Sequence, residues 1–162
     1  LSFSLAVTYL DPKYDSFVLS AFGDLSGTRP AGVTQFASVA GFEWNHEFAN
    51  GQRVIFHADY RHEDSFKLVE GLPGLVVKNA AGQVTSVTAA LQAATDFKQK
   101  IDNFDGSITY DFNNGMSVTA WARNLLNKRT ILQIFDPPAQ SGSISGYPSE
   151  PRTYGLSARF KW

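Results

Sequence analysis

Three side chains that could contact a ligand alternate along one stretch of the chain: His57, Asp59 and Arg61. Residues two apart in a β-strand point to the same face, so the three groups would share one surface. An imidazole, a carboxylate and a guanidinium on one surface suit contact with a charged ligand or with another charged part of the protein. The same pattern is also typical of a hydrated lining with no specific ligand, and this simpler interpretation is favoured.

The remaining polar residues do not form a catalytic constellation. The carboxylate pairs Glu63–Asp64 and Asp102–Asp105 lack the spacing of an acid–base pair, and the chain has neither a Gly-x-Ser-x-Gly motif nor a phosphate-binding loop. There is no Cys, which removes thiol catalysis, disulfides and thiolate metal ligands. The three His residues do not converge by spacing. We therefore predict no enzyme activity, no cofactor and no metal site.

The polar residues lie on segments that alternate like β-strands. The clearest begins at Thr153 and has one apolar face and one polar face. Its apolar residues are Tyr154, Leu156, Ala158, Phe160 and Trp162, and its polar face carries Thr153, Gly155, Ser157, Arg159 and Lys161. Similar patterns predict strands near 1–10, 34–45, 53–61, 99–112 and 116–124. The facing of the segment 116–124 stays open, because small, aromatic and charged residues mix on its two sides.

The connections between these segments alternate in length. Long connections rich in Gly and Pro lie near 11–33, 62–98 and 125–150, and the last two flank a short turn at Asn113-Asn114-Gly115. An Ala-rich piece within 62–98 predicts a short helix. Long and short connections in alternation are typical of bacterial outer-membrane barrels. The predicted fold is therefore all-β, an antiparallel up-and-down transmembrane β-barrel.

Aromatic residues support this prediction, because they gather toward the two ends of the predicted strands, as in the interfacial belts of membrane proteins. The belt at the short-turn end would contain Phe3, Trp44, Phe56, Tyr110, Phe160 and Trp162, and the belt at the long-loop end Tyr9, Phe36, Tyr60, Phe104 and Tyr154. The formal charge of -1 and the lack of a basic block give no reason to expect nucleic acid as a partner.

Four stretches resemble the C-terminal part of TonB-dependent outer-membrane receptors. They are Thr8–Asp15, Asp24–Gly27, Ala122–Arg129 and Pro151–Gly155 running on to the terminal aromatic. The Asn-Leu pair at 124–125 and the Pro-Arg-Thr at 151–153 are the more specific parts. The resemblance implies a barrel of about 22 strands closed by an N-terminal plug. It also implies import of a scarce nutrient, such as an iron chelate, cobalamin or a glycan, with energy delivered by TonB.

On this interpretation residues 1–162 are the C-terminal part of the barrel domain and contribute about six strands. The plug domain is absent from this chain, and the strand-like beginning without an initiator Met predicts that residues precede Leu1. The implied location is the bacterial outer membrane. The implied partners are outer-membrane lipid, the remainder of the barrel and the plug, the TonB complex, and the barrel-assembly machinery.

The candidate site residues fall into three groups. The segment from Gly155 to Trp162 resembles the signal that the barrel-assembly machinery recognises, which assigns that role to Tyr154, Gly155, Phe160 and Trp162. Facing the lumen, and available to a ligand or to the plug, are His57, Asp59, Arg61, Asn103, Asp105 and Arg159. Aromatic residues on the loops could make first contact with a ligand, or could pack the loops together, which is the favoured interpretation; they include Tyr14, Phe66, Phe135 and Tyr147.

Two other functions stay open at this point. A soluble β-sandwich, acting as a carbohydrate-binding or structural module, would pack the apolar faces against each other. A passive porin would share the barrel but lack the plug and the dependence on TonB. Solubility without detergent would indicate the sandwich, and the residues upstream of Leu1 would separate the porin from the energised transporter.

Overall fold

The computed structural model describes residues 1–18, 20–140 and 142–162, and most of this chain is β-structure. In chain order the elements are β1 (Ser2–Tyr9), β2 (Phe36–Glu47), β3 (Arg53–Lys67), β4 (Val77–Lys78), β5 (Val84–Ser86), α1 (Thr88–Asp96), β6 (Lys98–Asp111), β7 (Met116–Arg123), β8 (Ile131–Phe135), β9 (Ser145–Pro148) and β10 (Thr153–Phe160). A single 3-10 turn covers Pro73–Leu75. The prediction of an all-β chain is confirmed.

One antiparallel sheet contains the six long strands in the order β1-β2-β3-β6-β7-β10. Each long strand therefore lies beside the next long strand along the chain, an up-and-down arrangement. Two small two-stranded sheets, β4–β5 and β8–β9, lie within the long connections. Among the described residues β1 pairs only with β2 and β10 only with β7, so the large sheet has two open edges.

The strand register aligns the apolar residues of all six strands on one face. Because cross-strand partners point to the same side of a sheet, a single row of partners identifies that face. One such row consists of Phe3, Phe42, Ala58, Gly106, Ala122 and Tyr154. The opposite face has the polar row Ser2, Glu43, His57, Ser107, Trp121 and Gly155.

This register settles the facing of β7. Val118, Ala120 and Ala122 belong to the apolar face, because Ala120 pairs with Ile108 and with Leu156. Trp121 and Arg123 therefore lie on the polar face. The sequence of β7 left this choice open, since a Trp on a polar face contradicts simple hydrophobic alternation.

The apolar face is not covered by a second sheet anywhere in the described ranges. Ile108 is 51% exposed and Phe160 is 62% exposed, whereas Phe56 is half-buried between its neighbours on the same face. Cross-strand aromatic contacts run along this face, with ring centroids of Phe3 and Phe42 5.1 Å apart and those of Phe42 and Phe56 5.6 Å apart. The face is therefore a continuous apolar surface rather than half of a buried core.

The short turns lie at one end of the sheet and the long connections at the other. Residues 48–52 and 112–115 close tight hairpins, in which Asn113 and Gly115 have φ angles of 57° and 85°. Asn and Gly tolerate this left-handed conformation, so the predicted turn at Asn113-Asn114-Gly115 is confirmed. The connections 10–35, 68–97 and 124–152 all leave the opposite end.

Two boundaries differ from the sequence prediction. The connection predicted to begin at residue 62 begins at residue 68, because β3 continues to Lys67 and pairs there with Lys98 across a bulge. Residues 62–67 come before the Gly and Pro residues that indicated this connection, and they continue the pairing of β3 with β6. Phe66 is consequently a strand residue, which corrects its assignment to a loop. The connection 125–150 is likewise not irregular throughout, since it contains the hairpin β8–β9.

The small hydrophobic core lies in the connections and not on the sheet. Leu72, Ala93 and Ile134 form its buried centre, and Leu72 is only 2% exposed. Partly buried residues surround it: Leu68, Val69, Leu75, Phe97, Ile131 and Ile144. The Ala-rich segment forms α1 as predicted, and Ala90, Ala93 and Ala94 face inward. This core joins the second and third connections into one cap, called here the loop cap. No helix in the described part of the chain is long and apolar enough to cross a membrane.

Candidate functional site

The candidate lumen residues lie together on the polar face of two neighbouring strands. Asp59 pairs with Asp105, and Arg61 pairs with Asn103, across the β3–β6 ladder. His57 precedes them on the same face and pairs with Ser107. The structure thus places five of the six predicted lumen residues on one patch. The sixth, Arg159, lies on β10 beside Ser117, at the short-turn end of the sheet.

Most of these groups are already engaged with one another. His57 Nε2 lies 2.6 Å from Asp59 Oδ2, and its Nδ1 lies 3.9 Å from Glu43 Oε2. Arg61 donates to the carboxylate of Glu63 on the same strand. Ion pairs with at least one partner in water, as here, contribute little to stability, because water screens the charge. The patch is accordingly a hydrated surface of mixed charge, and within the described residues no three His, Asp or Glu side chains converge as metal ligands.

A cleft of about 280 Å³ opens where this patch meets the hairpin β8–β9. Its floor is the polar face of β6 and its sides come from the end of β7 and from the connection that follows. Of the predicted lumen residues it includes Arg61, Asn103 and Asp105, but not His57, Asp59 or Arg159. Several of its other lining groups were not predicted from the sequence, namely Gln99, Asn124, Lys128, Thr130 and Glu150.

Asn124 holds the two ends of the third connection together beside this cleft. Its Nδ2 donates to the carbonyl of Lys128 at 2.9 Å and to that of Glu150 at 3.0 Å, and its Oδ1 accepts from the Lys128 N–H at 3.0 Å. Its own N–H donates to Asp105 Oδ1 at 2.8 Å. Asn124 has a φ of 51°, which Asn adopts more readily than most residues. We refer to these four bonds as the Asn124 clamp.

Trp121 fixes the last strand from the polar face. Its ring lies against Gly155, where a Cβ atom would come within 2.6 Å of the indole. The indole Nε1 donates to Ser157 Oγ at 3.1 Å, and the guanidinium of Arg123 sits 5.6 Å from the ring centroid. An unsubstituted Gly opposite a Trp lets the ring cover the neighbouring backbone. Gly155 therefore has a packing role in this strand, beside the predicted role in assembly.

The other residues of the predicted assembly signal face the opposite way. Tyr154 and Phe160 lie on the apolar face and are 79% and 62% exposed, and Trp162 follows the end of β10 with its side chain fully exposed. They make up an unprotected aromatic edge at the open side of the sheet. Their recognition by the barrel-assembly machinery stays a prediction.

The loop aromatics make contacts within the connections. The Tyr14 ring packs at a tilt against Phe17 with a centroid distance of 4.8 Å, and its hydroxyl donates to Glu70 Oε1 at 2.8 Å. Phe135 and Tyr147 face each other across the hairpin β8–β9 at 5.2 Å. Phe66 sits in β3 opposite Gln99. None of Tyr14, Phe66, Phe135 and Tyr147 lines the cleft, and their role as ligand contacts stays a prediction.

Glu70 joins the first connection to the second. Its carboxylate accepts from Tyr14 Oη, from the Ala31 N–H at 2.6 Å and from Lys67 Nζ at 3.1 Å. Burial raises the pKa of this carboxyl, but the hydrogen bonds from Ala31, Tyr14 and Lys67 together outweigh burial and hold the pKa below its ordinary value. The hydrogen bond to Glu70 in turn raises the pKa of the Tyr14 phenol.

The fold and the site define this chain as an all-β protein with one antiparallel sheet, an exposed apolar face and a polar face that carries a cleft. No family model matches the chain, and no match was found among curated proteins or solved structures. Its function is therefore argued from its own residues and from the motifs that they form.

Proposed function

We propose that this chain is a segment of the β-barrel of a TonB-dependent transporter in the bacterial outer membrane. The observation that carries the proposal is the continuous apolar face of the six-stranded sheet, which is exposed although it contains large aliphatic and aromatic side chains. A water-facing patch of this extent would cost free energy and favour aggregation. Acyl chains of a bilayer are a solvent that such a face suits.

The polar face supports the same proposal. Alternation between a lipid-facing side and a wet interior is the pattern of a membrane barrel, and here the polar rows carry Glu43, His57, Asp59 and Asp105. The long connections leave one end of the sheet and fold into the loop cap, whereas the short hairpins close the other end. In an outer-membrane protein the long-loop end would face the outside.

The two open edges of the sheet require additional strands. An unpaired strand edge inside a bilayer would leave N–H and C=O groups without partners, at several kcal/mol for each group. Six strands are fewer than the roughly eight of the smallest closed barrels. The proposal therefore includes other barrel strands beside β1 and β10.

The transport activity follows from the motifs at Asn124-Leu125 and Pro151-Arg152-Thr153. The structure gives those motifs a physical role, because the Asn124 clamp and the Arg152 N–H, which donates to Asn127, close the third connection before β10 begins. On this proposal the barrel encloses a plug, the TonB complex supplies energy, and the barrel-assembly machinery inserts the protein. The cargo is a scarce nutrient of the iron-chelate, cobalamin or glycan class, imported without chemical change.

The experiment that tests this proposal has two stages. The full-length protein is first followed in fractionated cells, where it is expected in the outer membrane, soluble only with detergent, and shifted in gel mobility by heating. Strains lacking its gene, or lacking TonB, are then grown on a panel of limiting iron chelates, cobalamin and glycans. Loss of either is expected to give the same growth defect on one nutrient.

Each alternative function predicts a different result. A passive porin would give a growth defect in the gene deletion that TonB loss does not reproduce. A soluble β-sandwich would appear in the soluble fraction without detergent, and that result would contradict the membrane assignment.

A further inference from the structure

We propose that the cleft between β6, β7 and the hairpin β8–β9 binds the carboxylate groups of a small anionic ligand. Arg123 and Lys128 would supply the positive charge and Gln99 a hydrogen bond from its amide. Only the interpretation of this ligand as cargo rests on the proposed transport function; the binding itself depends on the cleft alone.

Gln99 is the first observation that points to a ligand. It is only 6% exposed, it lines the cleft, and its side-chain amide has no hydrogen-bond partner among the described residues. The Gln99 amide is not among the fully buried side-chain atoms that lack a partner, so it keeps contact with the water of the cleft, which a ligand would replace. An amide that is this deep and still faces a cleft is suited to a polar ligand.

The positive groups of the cleft differ in how far they are engaged. Arg61 is paired with Glu63. Arg123 and Lys128 form no ion pair with any described residue, and the Trp121 ring supports the Arg123 guanidinium at 5.6 Å. A cation–π contact of this kind does not use up the N–H donors of the guanidinium, which stay available for an oxyanion.

The two acidic groups at the floor of the cleft, Asp102 and Asp105, accept hydrogen bonds within the protein. Asp105 Oδ1 accepts from the amide of Asn103 at 2.9 Å and from the backbone of Asn124 at 2.8 Å. Asp102 Oδ1 accepts from Tyr60 at 2.9 Å and lies 2.7 Å from His62 Nδ1, both on the other face. Glu150 is the exception: it is exposed at the rim and its carboxylate has no partner in the described chain. The lining charges without an oppositely charged partner among the described residues are thus Arg123 and Lys128 against Asp105 and Glu150, so the proposal rests on the placement of the two cations and not on a net charge.

The walls of the cleft are held in place before any ligand arrives. The Asn124 clamp fixes the backbone of Lys128 and Glu150. Thr130 and Ser149 then join the two sides, with the Ser149 N–H donating to the Thr130 carbonyl at 2.7 Å and the Thr130 N–H to Ser149 Oγ at 3.0 Å. Preformed donors lose little freedom on binding. The volume of about 280 Å³ suits a small polycarboxylate rather than a large chelate.

The test measures binding of citrate to the purified full-length protein in detergent by titration calorimetry, with glucose as an uncharged probe of similar size. Lys128→Gln and Arg123→Gln are each expected to weaken citrate binding by about tenfold or more, since each removes a charge-assisted contact. Glu150→Gln is expected to tighten it severalfold, because it removes the rim carboxylate. Arg129→Gln is the matched control, with the same change of charge next to Lys128 but outside the cleft lining.

Heat-dependent gel mobility checks that every variant is folded. Citrate binding that falls in both cleft variants, rises in Glu150→Gln and is unchanged in Arg129→Gln would support the proposal. The absence of citrate binding to the unaltered protein, or an equal loss in Arg129→Gln, would overturn it. A protein that binds citrate in this pattern but is soluble without detergent would contradict the transporter proposal and leave the cleft proposal standing.

Discussion

At the scale of single residues, asparagine and glutamate side chains hold the long connections in place. Asn124 makes four hydrogen bonds, and without them the same polar groups of the third connection would have to bond to water. Glu70 performs a comparable role between the first and second connections, where it accepts three hydrogen bonds. Both residues satisfy backbone N–H or C=O groups, which is the condition for folding a long loop against a sheet.

Asn124→Ala is expected to destabilise the third connection by about 1–3 kcal/mol, because it removes three side-chain hydrogen bonds. It also puts Ala at a positive φ, a backbone conformation that Asn adopts more readily than Ala. The measurement is protease cleavage within 125–150 of the full-length protein. Asn124→Gly relieves the backbone strain but also lacks the bonds. Cleavage in Asn124→Gly that equals the unaltered protein would show that the bonds do not matter.

The lowered pKa of Glu70 predicts that its contact between the first and second connections is sensitive to acid. A carboxyl whose folded pKa is depressed contributes stability that is fully present above the ordinary value of 4.5 and is lost as the pH falls through the lower folded pKa. Glu70→Gln should therefore lower the stability of the full-length protein by about 1–2 kcal/mol at neutral pH and by progressively less below pH 4.5. The heat-shift temperature of both proteins across pH 3–7 measures this; a constant difference would contradict the prediction.

At the scale of elements, the last strand is fixed by a large Trp side chain that packs on a Gly of that strand. Trp121 of β7 covers Gly155 of β10, and its indole also binds Ser157. The strand therefore pairs through its backbone on every row and through this cross-strand contact on the polar face. Such a contact pins the register, because a shift by one residue would move Gly155 to the other face.

Gly155→Val is expected to destabilise the protein by about 1–3 kcal/mol, since the new side chain would occupy the space of the Trp121 ring. Gly106→Ala is the matched strand substitution, because a Cβ there meets its nearest neighbour at an ordinary 3.4 Å. The heat-shift temperature should fall for the first variant and change little for the second. Adding Trp121→Val to Gly155→Val should recover part of the loss, and purely additive losses would contradict a direct contact.

At the scale of the whole molecule, burial is distributed in reverse to a soluble domain. The buried hydrophobic residues are concentrated in the loop cap, whereas the sheet exposes Leu5, Ile108, Leu156 and Phe160. The proposed membrane environment gives this arrangement a physical reason. It also makes the two faces of the sheet differ in their tolerance to charge, which a sheet with both faces in water would not show.

On the proposed membrane assignment, Ile108→Lys is expected to destabilise the protein by about 2–4 kcal/mol and to lower its amount in the outer membrane, because the ammonium would lie among acyl chains. Ser107→Lys, the next residue on the polar face, is the control and is expected to change the amount little. Quantitative blots of membrane fractions, with heat-shift temperatures in detergent, measure both. Equal tolerance of the two lysines would remove the basis for a lipid-facing side.

The local pattern of the sequence determined the strands, the short turns and the apolar face, because alternation and Asn-Gly conformations act over a few residues. The facing of β7 was decided by its pairing with β6 and β10, since its own alternation is ambiguous. The extent of β3, the loop cap, the Asn124 clamp and the cleft also depended on tertiary structure. Each joins residues far apart along the chain, such as Asn124 with Glu150 and Leu72 with Ile134, and no local pattern records such contacts.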